Sequence, residues 1–370
     1  MRFGLEGGSW ANPRGYGRYL RSLYRALEAR ARHEWVLAVD SETARESPSP
    51  GCPAGLVVPT SGAAASGAAA NRSRSFGDMI RMSRALARAR FDAILFPSPH
   101  TYVPVRGARE LIVLHDVTAE RFPRLVFESA SAARRWRWKT RTAIRRARRI
   151  VTVSEHSRRG IAEIYGIDPA RIAVAPEAAD PIFFERASPV NRPRPYFLYV
   201  GGLSPHKNLP LLFEALSRVA GPDLLLAGPF GSDLFHRGDF GREARSRGVE
   251  SRVELAGDLP DGELRDLYAG ALALVLPSLD EGFGLPAVEA AAAGTAIVVS
   301  RSTAPAELFG SAALTFDPAD ALELARHLEL VRDDPARRRE LAAMAHERAR
   351  ALSWDETARV VEKAAEEAAG

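Results

Sequence analysis

Apolar positions along the chain alternate between two patterns. Short runs that are continuously apolar, such as 196–200 (YFLYV) and 271–278 (ALALVLPS), are typical of parallel strands covered on both faces. Between such runs, apolar residues recur at helical spacing, as with Leu20, Leu23 and Leu27. This alternation continues through both halves and predicts an α/β protein with two doubly wound parallel sheets.

The length of the chain fits two domains. Its 370 residues are enough for two packed cores of about 180 residues each. We place the boundary in the segment DPIFFERASPVNRPRP, whose prolines suit a linker of limited flexibility. The predicted domains are residues 1–185 and 186–352, followed by a terminal helix over 353–370. Residues 41–75, rich in Gly, Ala, Ser and Pro, are predicted to form one loop.

Charge is divided unevenly between the two halves. Residues 1–180 hold 30 Lys and Arg against 17 Asp and Glu, whereas the remainder holds 21 against 29. The most basic run, ARRWRWKTRTAIRRARRI, predicts a helix from Arg134 to Arg149. This helix either packs on its sheet with a solvated arginine face or contacts an anionic membrane surface. Nucleic acid is not an expected partner, because no recognised binding module accompanies the run.

The cysteine content and the lengths of the apolar runs indicate the cellular compartment. A single cysteine, Cys52, excludes an intramolecular disulfide and suits a reducing environment. There is no apolar signal core near the start, and no run approaches the roughly 20 apolar residues of a membrane span. We therefore expect a cytoplasmic protein, with peripheral attachment to the inner membrane face as an alternative. No metal-ligand spacing is present, so we expect no metal and no cofactor.

The most distinctive motif is the glycine-rich turn in residues 278–300 (SLDEGFGLPAVEAAAAGTAIVVS). The turn follows an apolar run and opens a helix near Pro286, whose missing N–H costs nothing at the first helical position. Free backbone N–H groups at a helix N-terminus favour an anion such as phosphate. The N–H groups concerned are those of Phe283, Gly284 and Leu285.

Two glutamates flank this turn. Glu281 lies in the turn and Glu289 on the helix, and a carboxylate accepts strong hydrogen bonds from sugar or ribose hydroxyl groups. A nucleotide sugar carries both the phosphates and the hydroxyls that such a site would bind. The alternative is that Glu289 only pairs on an exposed helix face.

The sequence EGFGLPAVEA resembles the glutamate, seven residues, glutamate motif of the retaining family 4 glycosyltransferases, which have the GT-B fold. The resemblance implies that Glu281 lies at the donor sugar, Glu289 at the nucleotide ribose, and the backbone from Phe283 to Leu285 at the sugar hydroxyls and diphosphate. It also implies two Rossmann-like domains facing across a cleft. The first would bind the acceptor and the second the donor, with the terminal helix returning to the first.

A second segment, GGLSPHKNLPLLFEAL, resembles the phosphate loop of the same family. This implies that Gly202 and Lys207 bind the donor diphosphate, beside a helix that Asn208 is predicted to cap. The family often has arginines near Gly202 and His206. The departure leaves open a nucleotide-sugar-binding partner protein with little turnover. A GT-B epimerase is the alternative among enzymes.

The acceptor-side resemblance lies in LIVLHDVTAERFP. It implies that His115 is a second catalytic residue and that Asp116 belongs to the acceptor side. The alternative is that the His115 ring only forms hydrogen bonds with backbone groups at the edge of the sheet. Gly15 and Gly17 resemble the interdomain loop of the family, and they do not form the three-glycine dinucleotide fingerprint. Ser154 is interpreted as a helix cap and not as a nucleophile.

Together these segments imply a retaining, metal-independent glycosyltransferase of polysaccharide biosynthesis. It would move a hexose or deoxyhexose from a nucleoside diphosphate sugar to a hydroxyl of a glycan, a lipid-linked saccharide or a secondary metabolite. GDP-mannose is the first choice of donor, because HDVTAERFP, PHKN and EGFGLP together resemble mannosyl and rhamnosyl transferases of bacterial envelopes. The family resemblance implies same-face attack, in which Glu281 need not be a nucleophile.

Overall fold

The protein consists of two compact units. The computed structural model describes residues 1–12, 15–46, 52–61, 75–229 and 239–370. The first unit comprises Met1–Glu177 with Ser353–Gly370, and the second comprises Ala178–Leu352. In the described residues, each unit is built around one parallel sheet, of seven strands in the first and six in the second.

The strands alternate with helices along the chain. The strands are β1 (Arg2–Glu6), β2 (Glu34–Asp40), β3 (Leu56–Val58), β4 (Ala93–Phe96), β5 (Glu110–Val113), β6 (Ala147–Thr152), β7 (Ile172–Val174), β8 (Tyr196–Val200), β9 (Asp223–Ala227), β10 (Val253–Gly257), β11 (Ala273–Leu276), β12 (Ile297–Ser300) and β13 (Leu314–Phe316). The helices are α1 (Gly15–Arg30), α2 (Ser41–Arg45), α3 (Phe76–Arg88), α4 (Thr118–Arg121), α5 (Pro123–Val126), α6 (Ala130–Arg146), α7 (Glu155–Tyr165), α8 (Leu209–Arg218), α9 (Asp239–Ser246), α10 (Asp261–Gly270), α11 (Leu285–Ala292), α12 (Ala304–Phe309), α13 (Ala321–Asp333), α14 (Pro335–Arg350) and α15 (Trp354–Ala369).

Both sheets are doubly wound, as the alternation of apolar patterns predicts. The first runs in the order β3-β2-β1-β4-β5-β6-β7 and the second in the order β10-β9-β8-β11-β12-β13. Strand order therefore reverses between β1 and β4 in one sheet and between β8 and β11 in the other. Open α/β sheets bind ligands beyond the carboxyl ends of the strands at such switch points.

The turn Pro181–Phe184 belongs to the second unit, although the boundary predicted from the sequence falls after residue 185. The Phe183 ring is buried and lies edge-on to Tyr268 of α10, with ring centroids 6.0 Å apart. An apolar anchor in this segment thus attaches it to the second core before the proline-rich stretch begins.

The terminal helix α15 packs in the first unit, against α1 and strands β4 to β7. Arg30 of α1 donates to Glu362 at 2.8 Å and to Asp355 at 2.8 Å. Since the Glu362 side chain is buried, this pairing compensates a charge that would otherwise be costly inside the unit. None of the helices in the described ranges has the length and hydrophobicity that a bilayer crossing requires.

The prediction of a helix from Arg134 to Arg149 was wrong at its C-terminal end. Helix α6 stops at Arg146, and Arg149 lies in strand β6. Ala147 has extended backbone and pairs with Glu110 of β5. The β-branched residues that follow fit a buried strand better than a helix, so the sheet ends the helix despite the basic run.

The prediction of one loop over residues 41–75 was also wrong in part. Asp40 caps α2 by accepting a hydrogen bond from the Thr43 N–H at 2.8 Å. Strand β3 then adds to the sheet edge, with Leu56 opposite Ala38. The residues of β3 show no clear strand pattern, and backbone pairing with β2 makes this segment a strand. Residues 47–51 and 62–74 of the predicted loop lie outside the described residues.

Candidate active site

In the second unit, the segments that follow β8 and β11 meet at the switch point. Lys207 Nζ donates to Glu281 Oε2 at 2.8 Å, and both side chains are mostly buried. The Leu279 N–H donates to the His206 carbonyl at 2.9 Å and fixes the two segments to each other. The structure therefore brings together two residues that the sequence motifs assign to one ligand.

The glycine-rich turn requires glycine at Gly284. Gly284 has φ of 80° and precedes α11, and a Cβ at this position would lie 2.3 Å from the Pro305 ring. Gly294, with φ of 79°, follows the end of the helix in a left-handed conformation. Only glycine fits the turn without displacing Pro305.

The start of α11 also presents free backbone donors. The N–H groups of Phe283, Gly284 and Leu285 donate to no other residue in the part of the chain that the structure describes. Such groups at a helix N-terminus favour an anion. Lys207 adds a full positive charge beside Glu281, in the same unit.

Glu289 lies on the inner face of α11 and is only 2% exposed. The hydroxyl of Tyr268 donates to its Oε2 atom at 3.1 Å, and the Thr295 hydroxyl donates to the Tyr268 carbonyl at 2.6 Å. The alternative of an exposed helix-face pair for Glu289 is therefore wrong. Tyr268 was missed as a site residue, since it stands 21 residues before Glu289 and no sequence spacing links the two.

His206 does not supply the second positive charge that an arginine would give. Burial and the neighbouring Lys207 lower the pKa of His206 to about 4, so the imidazole is neutral at pH 7. Its Nδ1 atom and the nearby Ser278 Oγ are buried without a hydrogen-bond partner among the described residues. His206 directly precedes Lys207, and Ser278 lies three residues before Glu281, so both atoms belong to the segments that carry this ion pair.

Asn208 and Gly202 shape the loop after β8. Asn208 precedes α8 with φ of 57°, but its side chain does not cap the helix as predicted. Its amide donates instead to the Pro318 carbonyl at 2.9 Å, because the left-handed backbone turns the side chain away from the helix N–H groups. The Gly202 carbonyl accepts a hydrogen bond of 2.6 Å from the Tyr199 hydroxyl, which holds the loop close to the strand end.

In the first unit, His115 lies just beyond the end of β5. Its Nδ1 atom is 3.3 Å from Glu177 Oε1, and its Nε2 atom is 3.0 Å from the Pro97 carbonyl oxygen. The rings of Tyr16 and Tyr19 stand edge-on to the imidazole, with centroids 5.0 Å and 4.6 Å away. Since both neighbours of the ring nitrogens are acceptors, both contacts are hydrogen bonds only in the protonated imidazolium.

Glu177 is therefore a functional candidate that sequence reasoning missed. Its carboxylate is buried, and a buried carboxylate needs a compensating partner such as His115. No spacing links the two in the sequence, since Glu177 follows β7, two strands away from β5 in the sheet. His100, after β4, packs on Tyr16 and on Trp136 of α6 and was likewise not singled out.

Other predicted residues of the first unit have local roles. Asp116 Oδ1 accepts from the Thr118 N–H at 2.9 Å and shapes the start of α4. The predicted loop at Gly15 and Gly17 was wrong, because both lie in the first turn of α1. A Cβ at Gly17 would lie 1.9 Å from the Asn12 carbonyl, so glycine allows α1 to pack there. Ser154 caps α7 by accepting from the Ser157 N–H, as predicted.

Two family models cover most of the chain. Residues 182–351 match the model for glycosyl transferases group 1, and residues 13–183 match the model for glycosyltransferase family 4. The chain belongs to these glycosyltransferases. Its enzyme class is a transferase, as the resemblance implied.

Curated relatives of this glycosyltransferase include two named enzymes. It is 28% identical over 277 residues to the O-antigen chain mannosyltransferase B of Escherichia coli, covering 70% of this chain and 71% of the relative. It is 30% identical over 240 residues to the D-inositol 3-phosphate glycosyltransferase of Kineococcus radiotolerans, covering 57% of this chain. That second match spans 55%, about half, of the length of the relative.

Solved structures of similar fold show the architecture of this glycosyltransferase. Anabaena Alr3699/HepE in complex with UDP and glucose matches with a TM-score of 0.73 and 17% identity, over 98% of both chains. With two doubly wound parallel sheets in the described residues, the fold is GT-B, as the sequence predicts. Among the residues with described structure, no group of three or more His, Cys, Asp or Glu side chains could hold a metal ion.

Proposed function

We propose that this glycosyltransferase transfers a hexosyl group, with mannose as the first candidate, from a nucleoside diphosphate sugar to an acceptor hydroxyl with retention of configuration. The observation that carries the proposal is the grouping of Lys207, Glu281 and the free N–H groups of Phe283, Gly284 and Leu285 in one unit. A cation and a helix N-terminus suit a diphosphate, and the carboxylate suits sugar hydroxyls.

Glu289 supports a separate subsite for the ribose. A carboxylate that is 2% exposed is costly unless it accepts hydrogen bonds, and the Tyr268 hydroxyl provides one of them. The two hydroxyls of a ribose would provide further donors. The proposal thus gives Glu281 and Glu289 different partners, the sugar and the ribose, on the two sides of one glycine turn.

The proposed reaction follows from the charges on these groups. The bond between the anomeric carbon and the diphosphate oxygen breaks with its electrons going to the leaving nucleotide. The acceptor oxygen bonds to the same face of that carbon, and its proton passes to the leaving phosphate. Lys207 and the N–H groups at the start of α11 stabilise the negative charge that develops. Because His206 is neutral, that stabilisation depends on Lys207 and on backbone groups.

The donor sugar and the acceptor are proposed by analogy. The E. coli relative is named as a mannosyltransferase of an O-antigen chain, which favours a mannosyl donor and a saccharide acceptor. The Anabaena protein of similar fold is in complex with UDP and glucose, so a UDP sugar is the competing donor class. His115 and its partner Glu177 carry the acceptor-side part of the proposal, in the first unit.

A nucleotide panel tests the donor site. Thermal unfolding should be followed with GDP, UDP, dTDP or ADP, each with and without EDTA, because a ligand that binds the folded state raises the melting temperature. We expect one nucleotide to raise it, with no effect of EDTA. A nucleotide at about 100 times its Kd adds about 2.7 kcal/mol of stability, which is readily seen.

Product analysis then tests the transfer. The nucleotide sugar of the preferred base should be incubated with and without saccharide acceptors, and the anomeric configuration of the product determined by NMR. An α-linked product from an α-linked donor supports retention, and an inverted product contradicts it. Nucleotide binding without transfer or donor hydrolysis would favour a binding partner with little turnover.

A further inference from the structure

A groove on the first unit lies between α3 and α6, apart from the residues assigned to the reaction. Its volume is about 350 Å³, at the lower end of the range of small-molecule pockets, roughly 300–1,000 Å³. Apolar atoms dominate its walls, with Met79 and Ile80 from α3 on one side and Trp138 from α6 on the other. We call this feature the α3–α6 groove.

Two exposed aromatic residues converge on the α3–α6 groove. Phe76 is 79% exposed and Trp138 is 69% exposed, which makes them the two most exposed large apolar side chains in the described part of the chain. They come from helices far apart in sequence, yet both line the same groove. Exposed apolar side chains scattered singly need no explanation, but a cluster around an apolar groove marks an interaction site.

The charge around the groove is of one sign. The one acidic residue on α3 is Asp78, which is buried and accepts a hydrogen bond from Arg81, and α6 has none. Arg84 and Lys139 line the groove itself. Arg137 and Arg141 are exposed on α6 and form no ion pair with a carboxylate of the described residues.

We propose that the α3–α6 groove binds a hydrocarbon chain of an anionic lipid, with the surrounding arginines contacting lipid phosphates of a bilayer. The occupant follows from the two features together. An apolar groove rimmed by cations complements a molecule with a hydrocarbon tail and an anionic head, and aromatic side chains such as Trp138 prefer the membrane interface. A solvated arginine face alone would explain the charge but not Phe76, Trp138 and the groove.

In the sequence, membrane contact is one of two alternatives for the basic helix, and that alternative involves the helix alone. In the structure, α3 and α6 both contribute to the apolar surface of the groove. Phe76 and Met79 belong to α3, which carries arginines of its own but was not singled out in the sequence. The proposal concerns an interaction surface and does not depend on the identity of the sugar donor.

Vesicle co-sedimentation of the full chain tests the proposal. The vesicles should consist either of phosphatidylcholine alone or of equal parts of phosphatidylcholine and phosphatidylglycerol. We expect binding to the anionic vesicles only, weakened by salt because exposed charges are screened. The double variant Phe76→Ser with Trp138→Ser should bind at least about tenfold more weakly. The matched control Leu322→Ser, which removes a 51% exposed leucine of the second unit, should bind like the wild type.

Charge reversal of the arginines around the α3–α6 groove tests whether they contribute to lipid binding. Arg84→Glu, Arg137→Glu and Arg141→Glu together should reduce binding by more than about tenfold. The control reverses three exposed arginines of α14, Arg339, Arg348 and Arg350, and gives the same net charge. The nucleotide-induced rise in melting temperature should be unchanged in every variant, which separates failure of this proposal from misfolding and from failure of the donor site.

Three results would overturn the proposal. Equal binding of the wild type to both kinds of vesicle, or binding to neither, would exclude an anionic lipid as the ligand of the groove. Loss of binding on charge reversal without any effect of the Phe76 and Trp138 changes would show that no chain enters the groove. A wild-type dimer that Trp138→Ser converts to a monomer, measured by analytical ultracentrifugation, would assign the groove to a second copy of the chain.

Discussion

Lys207 Nζ lies 2.8 Å from Glu281 Oε2, although 74 residues separate them in the chain. The contact exists because β8 and β11 are neighbours at the switch point of the second sheet, so the segments that follow them share one edge. Each side chain compensates the charge of the other in a mostly buried position. A diphosphate would compete with Glu281 for Lys207, which links the phosphate and sugar parts of the proposed site.

The first prediction assigns different effects to substitutions of Lys207 and of Glu281. Lys207→Ala should lower nucleotide diphosphate affinity by about 10- to 100-fold, because it removes a charged hydrogen-bond donor. Glu281→Gln should leave nucleotide affinity within a few-fold but lower turnover by about 100-fold, since it misplaces the sugar. Calorimetric Kd and steady-state turnover measure the two effects. The exposed Glu263→Gln in the same unit serves as a control, and identical profiles for the two site variants would contradict the assignment.

The second prediction concerns the orientation of Glu289 by Tyr268. Glu289→Gln should weaken nucleotide binding by about tenfold or more, and Tyr268→Phe should weaken it by a few-fold, because that change removes one orienting hydrogen bond. The double variant should show less than the sum of the two effects, since both act through one carboxylate.

The control for this double-mutant cycle of Glu289 and Tyr268 is the variant Tyr196→Phe. The Tyr196 hydroxyl donates to the Leu267 carbonyl at 2.7 Å, so this change also removes a buried tyrosine hydrogen bond in the same unit. Its nucleotide Kd should match that of the wild type. A Tyr268 variant with wild-type affinity, or strictly additive effects, would show that Tyr268 does not position Glu289 for binding.

The third prediction tests Glu177 as a positioning residue for His115. Glu177 Oε1 lies 3.3 Å from His115 Nδ1, so the carboxylate holds the imidazole ring in one orientation. In Glu177→Gln, turnover should fall by about tenfold while the KM of the donor stays within a few-fold, because the ring is misplaced but the donor-side residues of the second unit are untouched. The exposed Glu163→Gln should leave both constants unchanged. A higher donor KM with wild-type turnover would contradict the positioning role.

The fourth prediction concerns pH and stability. Burial, together with the facing Lys139 and His115, lowers the pKa of His100 to about 4, against about 6.5 in an unfolded chain. Between these values only the unfolded chain binds the proton. The contribution of His100 to stability therefore falls as pH decreases from about 6.5 to about 4, by up to about 3 kcal/mol.

Urea unfolding measures this effect. His100→Phe keeps a ring against Tyr16 and Trp136 but cannot bind a proton. Relative to this variant, the wild type should lose about 2 kcal/mol of unfolding free energy between about pH 7 and about pH 5. Parallel changes in the two proteins would show that His100 titrates normally in the folded state.

Much of the fold and of the backbone conformation of the candidate donor site was predictable from local signals. The strand at 271–278, the left-handed Gly294 and the helix that opens near Pro286 all follow from residue types whose conformational preferences act over a few positions. The cap at Ser154 is of the same kind. Where local preference was weak, prediction failed: the basic helix stopped at Arg146 because pairing with β5 took over, and β3 formed by pairing with β2.

The sequence by itself determined the alternation of strands and helices, the glycine turn and the two glutamates of its motif, because these depend on short-range sterics and on residue chemistry. Only the tertiary structure decided which distant side chains become partners. Strand order placed Lys207 beside Glu281 and Glu177 beside His115, and burial left His206 neutral. The fold also brought Phe76 and Trp138 to the same groove. Contacts and desolvation of this kind depend on the arrangement of whole elements, which no single segment of the chain encodes.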